Sequence, residues 1–364
     1  MRRLPVAVLA GLLLATPASA GDAELLRAKA RYLPAAQLSY GDDPDGAQAR
    51  YDAGRALVEA VLAAGKVRPG LAQLRAVMLA QGRRQVARAE ELDRPRGSRS
   101  GASLAPLPAA AAGVAPRRHD VGLSRRLAAL AAGSDGAVGI WVHELESGRY
   151  GGVAQDIRFA AASTVKLGAL VAAVGVAPRP ERSPWWYDAR QLGYWSSNLA
   201  ANRISTGLGT TAVAVALRRL GMTSSTYPGP YRATTAYSPP GPHTRVTTAR
   251  DLGRALYRLH AASQGDARVR RLLGLSQRQA AAALRILASA QPAAENAGML
   301  RPWLNDAVVA QKVGWLSDQR TTAALVYRGG RATIVVVELY RPGVTRAEER
   351  RLGRSVLQTA GLRG

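Results

Sequence analysis

The sequence lacks cysteine altogether, and histidine is scarce. Without cysteine there can be no disulfide, no thiolate nucleophile, no thiolate metal ligand and no lipid anchor on a cysteine side chain. The four histidines, His119, His143, His243 and His260, are scattered along the chain without the spacing of a metal site. We therefore expect neither a structural metal nor a cofactor.

Lysine is also rare, because only four of the 50 basic residues are lysines and the rest are arginines. Arginine stays protonated in proteins, so only lysine can serve as a base or as a compact ammonium. Lys29 and Lys66 lie in unremarkable helical sequence, whereas Lys166 and Lys312 lie in the short patterns Ser163-Thr-Val-Lys166 and Lys312-Val-Gly314. These two lysines are candidates for chemistry that arginine cannot perform.

Acidic residues are half as frequent as basic ones, and the formal net charge is +25. Such a charge attracts anionic partners. The basic residues are spread along the chain and form no stripe interleaved with aromatic residues, so we expect no nucleic-acid partner. An anionic cell-wall polymer would fit the charge.

No stretch beyond the N-terminus approaches the length of a membrane span. Arg2 and Arg3 precede an apolar run, Leu4 to Leu14, which is followed by Ala18-Ser19-Ala20. This layout is typical of a cleaved secretory signal, and the run is too short for a transmembrane helix. The sequence predicts no transmembrane segment and a protein that is secreted or periplasmic after cleavage near Ala20.

Composition divides the chain into a signal (1–20), a helical N-terminal region (21–93), a linker rich in Pro, Ala, Gly and Arg (94–121), and a second domain (122–364). The second domain begins with a helix and a strand, continues with helices, and ends with three strands and a helix. The predicted elements are Leu123–Ala132, Ala137–Glu144, Val308–Trp315, Thr321–Arg328, Ala332–Tyr340 and Thr345–Leu362. Strands at both ends predict an α+β fold whose antiparallel sheet is flanked by helices.

The pattern around Ser163 can form a nucleophile. We expect Ser163 at a helix start with Lys166 one turn later, where the amine reaches the hydroxyl. A serine hydroxyl needs such a base in order to attack a carbonyl carbon. The alternative is a serine that caps the helix beside a solvated lysine.

Two further patterns supply polar groups. In Ser196-Ser-Asn198 the hydroxyl of Ser196 can relay protons, and the Asn198 amide can bind a substrate carbonyl or the Lys166 amine. On a predicted strand, Lys312 can face an anionic substrate group while Gly314 lets a ligand approach the backbone. The alternative for the second pattern is a capped helix with one exposed amide.

In this order the patterns resemble the three motifs of the class A β-lactamases and the related penicillin-binding peptidases. The resemblance covers the chain from about Leu123 to its end. It implies a serine β-lactamase/penicillin-binding (DD-peptidase-like) fold and a serine hydrolase that forms an acyl-enzyme with β-lactams or D-Ala-D-Ala-like wall peptides. The segments that carry it are Phe159-Ala-Ala-Ala-Ser163-Thr-Val-Lys166-Leu, Trp195-Ser196-Ser-Asn198-Leu-Ala-Ala-Asn202 and Lys312-Val-Gly314.

The resemblance also implies a role for each residue. Ser163 is acylated with Lys166 as its base, and Ser196 passes a proton to the leaving nitrogen. The remaining residues bind the substrate: Asn198 holds its amide, and Lys312 orients its carboxylate. The substrate carbonyl oxygen binds to the backbone N–H groups of Ser163 and of Trp315, which follows Gly314. For His143, Asp318 and Arg320, which fall nearby, we expect surface or structural roles.

Some departures from the family pattern bear on turnover. Class A enzymes carry a glutamate on a loop after the second motif, and this glutamate activates the water that releases the acyl group. The corresponding stretch here, Gly221 to Arg250, contains no acidic residue. Losing a general base costs about 10²–10⁴ in rate. Val313 and Ser197 replace a hydroxyl residue and an aspartate, and the short interval between Ser163 and Ser196 predicts a trimmed helical subdomain.

These departures leave alternatives open. A peptidase-like enzyme would deacylate without that glutamate. A non-hydrolytic penicillin-binding, wall-binding or sensor module on the same fold is the rival of another class. A Ser-His-Asp hydrolase is disfavoured because the sequence has no Gly-x-Ser-x-Gly elbow.

Overall fold

The structure, a computed structural model, describes residues 20–38, 40, 44–92, 104–194, 196–231, 245–290, 297–316 and 318–362. The predicted signal lies outside the described residues except for Ala20, which is the first residue of a helix. None of the described helices combines the length and the apolar content that crossing a membrane requires.

Three helices, α1 (Ala20–Gln37), α2 (Pro44–Ala63) and α3 (Pro69–Leu92), form the N-terminal region. They pack around Leu25, Leu57, Val61 and Met78, which are fully buried. The sequence predicts this helical region correctly, and the periodic apolar residues of α2 and α3 supply its core.

Residues 104–117, in the predicted linker, lie against the second domain. Val114 N–H donates to Leu145 O at 2.6 Å, and His260 Nε2 lies 2.7 Å from Ala111 O. A two-residue strand follows, β1 (Arg118–His119), and pairs in parallel with β3 (Arg149–Val153). This part of the linker therefore packs along the fold. The domain boundary near residue 122 remains a prediction.

The central sheet has six strands in the order β1-β3-β2-β8-β7-β6. Adjacent strands in this sheet run antiparallel, except that β1 and β3 are parallel. The first predicted strand pairs with the last, as expected. The bounds are Ala137–Glu144 for β2, Val308–Trp315 for β6, Gln319–Arg328 for β7 and Arg331–Tyr340 for β8.

Both faces of the sheet are buried, which explains the continuous apolar run in β8. Val335 and Val337 face one cluster, which α4 (Val121–Ala132) and α12 (Arg346–Thr359) complete. Ile334 and Val336 face the opposite, larger cluster. The fold is thus α+β, with helices on both sides of one sheet.

The larger cluster is covered by a group of helices, two of which, the first and the third, carry motif residues. They are α5 (Lys166–Gly175), α6 (Trp186–Tyr194), α7 (Asn198–Gly207), α8 (Thr210–Arg219), α9 (Ala249–Ser263), α10 (Ala267–Leu273) and α11 (Gln277–Ala288). A 3₁₀ turn lies at Pro180–Arg182, and another, at Arg301–Trp303, packs against the opposite cluster. A short ladder of β4 (Phe159–Ala160) and β5 (Val246–Thr247) leads into the first motif. A Cβ at Gly139 would lie 2.8 Å from Phe159 Cε2, so the lack of a side chain there admits the ring onto the sheet.

Candidate active site

Ser163 lies in a tight turn before α5. The sequence predicts Ser163 at the helix start, but α5 begins three residues later, at Lys166. Lys166 N–H donates to Ser163 O at 3.2 Å, and Ala162, directly before the serine, has φ of 46°. Non-glycine residues rarely adopt this backbone conformation, so the turn holds Ser163 in a strained, specific orientation.

The Lys166 amine lies between the first and second motifs. Its side chain is fully buried, and Nζ donates to Ser163 Oγ at 2.9 Å, Ser196 O at 2.5 Å and Asn198 Oδ1 at 2.5 Å. An ammonium has three protons, so these three acceptors can satisfy it. Of the two partners expected for Asn198, the structure places the Lys166 amine against its amide oxygen.

Ser196 connects Lys166 to the third motif. Its φ is 58°, a left-handed conformation that costs about 1–3 kcal/mol in a non-glycine residue. This backbone turn directs the carbonyl oxygen to Lys166 and the hydroxyl to Lys312. Ser197 Oγ accepts from Ala200 N–H at 3.1 Å and so caps α7. Trp195, also part of the second motif, lies outside the described residues.

Lys312 reaches the site from strand β6. Its side chain is buried, and Nζ donates to Ser196 Oγ at 2.6 Å and to Val313 O at 2.8 Å. Burial lowers the pKa of Lys312 to about 7. Burial therefore favours the neutral amine over the ammonium at this position.

Gly314 allows strand β6 to approach the turn that carries Ser163. A Cβ there would lie 2.8 Å from Ala161 O and 3.0 Å from Ser163 N. Because side chains alternate along a strand, Val313 points to the other face, where a Cβ at Gly298 would lie 2.7 Å from its Cγ1. Trp315 follows on this edge strand and is 48% exposed.

Three neighbours predicted to be structural have partners away from the two lysines. Arg320 Nε lies 2.8 Å from Glu349 Oε2, and the Asp318 carbonyl accepts from Arg341 N–H at 2.8 Å. His143 is buried beside Tyr257, and burial lowers the pKa of its imidazole to about 4.

Sequence reasoning missed Tyr231, which touches the surroundings of both Ser163 and Lys166. Its ring centroid lies 4.4 Å from Lys166 Nζ, and its hydroxyl donates to Ala162 O at 3.1 Å. Asn202 holds the backbone of Tyr231: Oδ1 accepts from Tyr231 N–H at 2.6 Å, and Nδ2 donates to Tyr231 O at 2.9 Å. The sequence feature that could have indicated this contact is the placement of Asn202 one helical turn after Asn198. No sequence feature indicated Tyr231 itself.

Asp251 is the first acidic residue after the second motif, and its buried carboxylate accepts from Ser224 N–H and Ser225 Oγ, both at 2.8 Å. It lies in the first turn of α9 and holds the preceding loop to that helix. The contacts of Asp251 are therefore structural.

Comparison with known proteins assigns this arrangement to a family. Residues 122–177 and 185–360 match the model of the Beta-lactamase enzyme family, which covers more than half of the chain. The chain belongs to this family. The residues between the two matched segments, 178–184, contain the 3₁₀ turn Pro180–Arg182. The comparison with curated protein sequences found no match.

Solved structures share the fold of this β-lactamase family member. A β-lactamase from Sphaerobacter thermophilus has a TM-score of 0.53 at 21% identity, covering 66% of this chain and 97% of that one. The structure of PBP-A has the same TM-score and identity, covering 67% of this chain and 97% of that one. A PBP-A variant, described as an acyl-enzyme complex with penicillin G, has 20% identity, a TM-score of 0.53 and coverages of 67% and 98%. The predicted fold is therefore confirmed.

Proposed function

We propose that this protein is a serine hydrolase of the β-lactamase family that forms an acyl-enzyme on Ser163. Its substrates would be β-lactams or D-Ala-D-Ala-like wall peptides. The observation that carries the proposal is the 2.9 Å contact between Lys166 Nζ and Ser163 Oγ, beside the 2.6 Å contact between Lys312 Nζ and Ser196 Oγ. These contacts would give the Ser163 nucleophile a base and the Ser196 hydroxyl a source of protons, and Lys166 Nζ also donates to the Ser196 carbonyl oxygen.

Acylation would proceed in two proton-coupled steps. Lys166, as the free amine, takes the proton of Ser163 while Oγ attacks the substrate carbonyl carbon. When the C–N bond breaks, Ser196 gives its proton to the leaving nitrogen and regains one from its lysine neighbours. The N–H groups of Ser163 and Trp315 would stabilise the oxyanion, and Lys312 with Gly314 would receive the carboxylate end of the substrate.

Deacylation distinguishes the candidate activities. The loop after the second motif contains no acidic residue between Gly221 and Arg250, and a missing general base lowers a rate by about 10²–10⁴. We therefore expect a long-lived acyl-enzyme and slow turnover of β-lactams. This expectation favours a peptidase-like or penicillin-binding protein over an antibiotic-resistance enzyme, and a sensor module on the same fold is the second candidate.

The site of action would be outside the cytoplasm, because the first 20 residues have the layout of a cleaved signal. Peptidoglycan would be the natural target there. An anionic wall polymer would bind the basic surface formed by the ends of α8 and α10 together with α9. We define an arginine cluster as Arg218, Arg219, Arg254, Arg258 and Arg271, in which Arg258 Nη1 donates to Arg219 O and Arg254 Nη1 to Gly221 O.

The test of acylation uses a fluorescent penicillin and a chromogenic cephalosporin. We expect a stable fluorescent label on the wild type, little colour change, and no label on Ser163→Ala. Ser134→Ala, at the end of α4, is the matched control and should label normally. Rapid colour change that depends on Ser163 would instead establish an efficient β-lactamase. Absence of any label on the wild type would overturn the proposal.

A further inference from the structure

We propose that Tyr231 is a positioning residue that prolongs the life of the acyl-enzyme, because its ring occupies the place beside Lys166 that a water-activating carboxylate would need. This inference rests on the proposed acylation of Ser163. It names a residue of the loop after the second motif and assigns it a role in the second half of the reaction.

The backbone of Tyr231 is held in place by the second-motif helix. Both polar atoms of the Asn202 amide bind it, one at the Tyr231 N–H and the other at the Tyr231 carbonyl. Asn202 lies one helical turn after Asn198, whose own amide oxygen binds Lys166 Nζ. Helix α7 therefore sets the positions of Lys166 and of the tyrosine that covers it.

The ring of Tyr231 lies close to two cations. Lys166 Nζ is 4.4 Å and Arg245 Cζ 3.9 Å from the ring centroid, both within cation–π range. Arg245 also donates to Pro230 O at 2.6 Å and to Gly229 O, which fixes the segment that precedes the tyrosine. These contacts keep the aromatic ring against the lysine.

Tyr231 cannot replace the missing base. Burial raises the pKa of its phenol, and the hydroxyl donates to Ala162 O, so the group stays neutral and its proton is already engaged. Hydrolysis of an ester on Ser163 requires water to lose a proton as its oxygen attacks the carbonyl carbon. The C–Oγ bond then breaks, and Oγ takes a proton back. The buried ring offers no group that accepts the proton of the water.

A glutamate at position 231 would supply such a group, although it would also remove the ring and its hydroxyl. Its carboxylate reaches about as far from the backbone as the centre of the tyrosine ring, so it would lie near Lys166 and the ester. Glutamine has the same shape without the charge, and phenylalanine keeps the ring but loses the hydroxyl. These three substitutions separate base catalysis, simple opening of the site and the hydrogen bond to Ala162.

The experiment measures acylation and deacylation separately with a fluorescent penicillin, on full-length protein whose folding is checked by thermal melting. We expect Tyr231→Glu to raise the deacylation rate constant about tenfold or more, since a positioned base contributes about 10²–10⁴. Tyr231→Gln should raise it by less than about threefold, and Tyr231→Phe should keep both rate constants within about fivefold of the wild type.

Equal deacylation by Tyr231→Glu and Tyr231→Gln would overturn the proposal, as would a Tyr231→Glu variant that is acylated but as long-lived as the wild type. Both results would leave the acylation of Ser163 intact. A wild-type protein that takes no label at all would instead contradict the proposed function itself, and with it the role of Tyr231.

Discussion

Lys312 Nζ donates a hydrogen bond to Ser196 Oγ at 2.6 Å. This contact joins the third motif, on strand β6, to the second motif. Burial lowers the pKa of Lys312 to about 7, so the ammonium that would attract a substrate carboxylate is lost as pH rises through about 7. Second-order acylation constants report the ionisation of the free enzyme.

We therefore expect the second-order rate constant for acylation by a penicillin carboxylate to fall above about pH 7, by up to about tenfold per pH unit. Stopped-flow labelling between pH 5.5 and 9 measures it. The methyl ester of the same penicillin lacks the carboxylate and serves as the control. It loses only the support that Lys312 gives to Ser196, so its rate should fall less steeply than that of the acid. An equal fall for the ester and the acid would contradict Lys312 as the carboxylate-binding group.

The four lysines provide a substitution series with internal controls. Lys166→Arg replaces the candidate base with a group that stays protonated, so the acylation rate constant should fall by about 10²-fold or more. Lys29→Arg and Lys66→Arg, in the N-terminal helical region, should label like the wild type. Labelling of Lys166→Arg at the wild-type rate would mean that another group deprotonates Ser163.

The strands were predictable because their signal is local. Apolar runs bounded by polar or turn residues predicted β2 (Ala137–Glu144) and β6 (Val308–Trp315) with the bounds that the structure has. The site motifs are equally local: Ser163 and Lys166 are three residues apart, and the placement of Lys166 requires only the start of α5. Their meeting with Lys312, on edge strand β6, was implied by the resemblance to the family and by no local pattern.

Contacts that no periodic pattern encodes could not be predicted. The amide of Asn202 holds a backbone 29 residues away, and the composition around Tyr231 indicates only a turn. Residues 104–117 have the composition of a spacer, yet they are held by Leu145 O and His260, which belong to distant elements. The strained φ of Ser196 likewise follows from its two lysine neighbours, because no residue type at this position indicates it.

Glu338 predicts a pH effect on stability. It is fully buried in β8, and burial together with the Asp251 carboxylate raises its pKa well above the ordinary value. The folded protein therefore keeps this proton at pH values where the unfolded chain has lost it, and stability falls as pH rises above about 4.5. Glu338→Gln removes the ionisation and should raise Tm by about 3 °C or more at pH 8, with little change at pH 4.

Glu348 supplies a control of opposite sign. Hydrogen bonds from Thr345 and Arg341 lower the pKa of its exposed carboxyl to about 2. Its contribution to stability is therefore present at neutral pH and is lost on acidification through about 2. Glu348→Gln should lower Tm at pH 7.

The prediction for Glu338 has a contrary outcome. A Glu338→Gln variant that is less stable than the wild type at pH 8 would show that the buried carboxyl of Glu338 is ionised and paired in the folded protein.

The arginine cluster tests the proposed anionic partner. Elsewhere, arginines such as Arg149 and Arg203 pair with carboxylates. Among the described residues, only Asp251 forms an ion pair with the cluster, at 3.8 Å from Arg254. A surface of one sign with so few acids binds polyanions through several phosphate contacts, and salt weakens such binding steeply.

Charge reversal at this surface should weaken polyanion binding more than the same change elsewhere. We expect the double variant Arg218→Glu and Arg271→Glu to bind labelled polyphosphate about tenfold or more weakly than the wild type at 50 mM salt, measured by fluorescence anisotropy. Arg27→Glu with Arg331→Glu changes the net charge by the same amount on well-exposed residues outside the cluster. An equal loss in both double variants would mean that binding follows total charge and that the cluster is not a docking site.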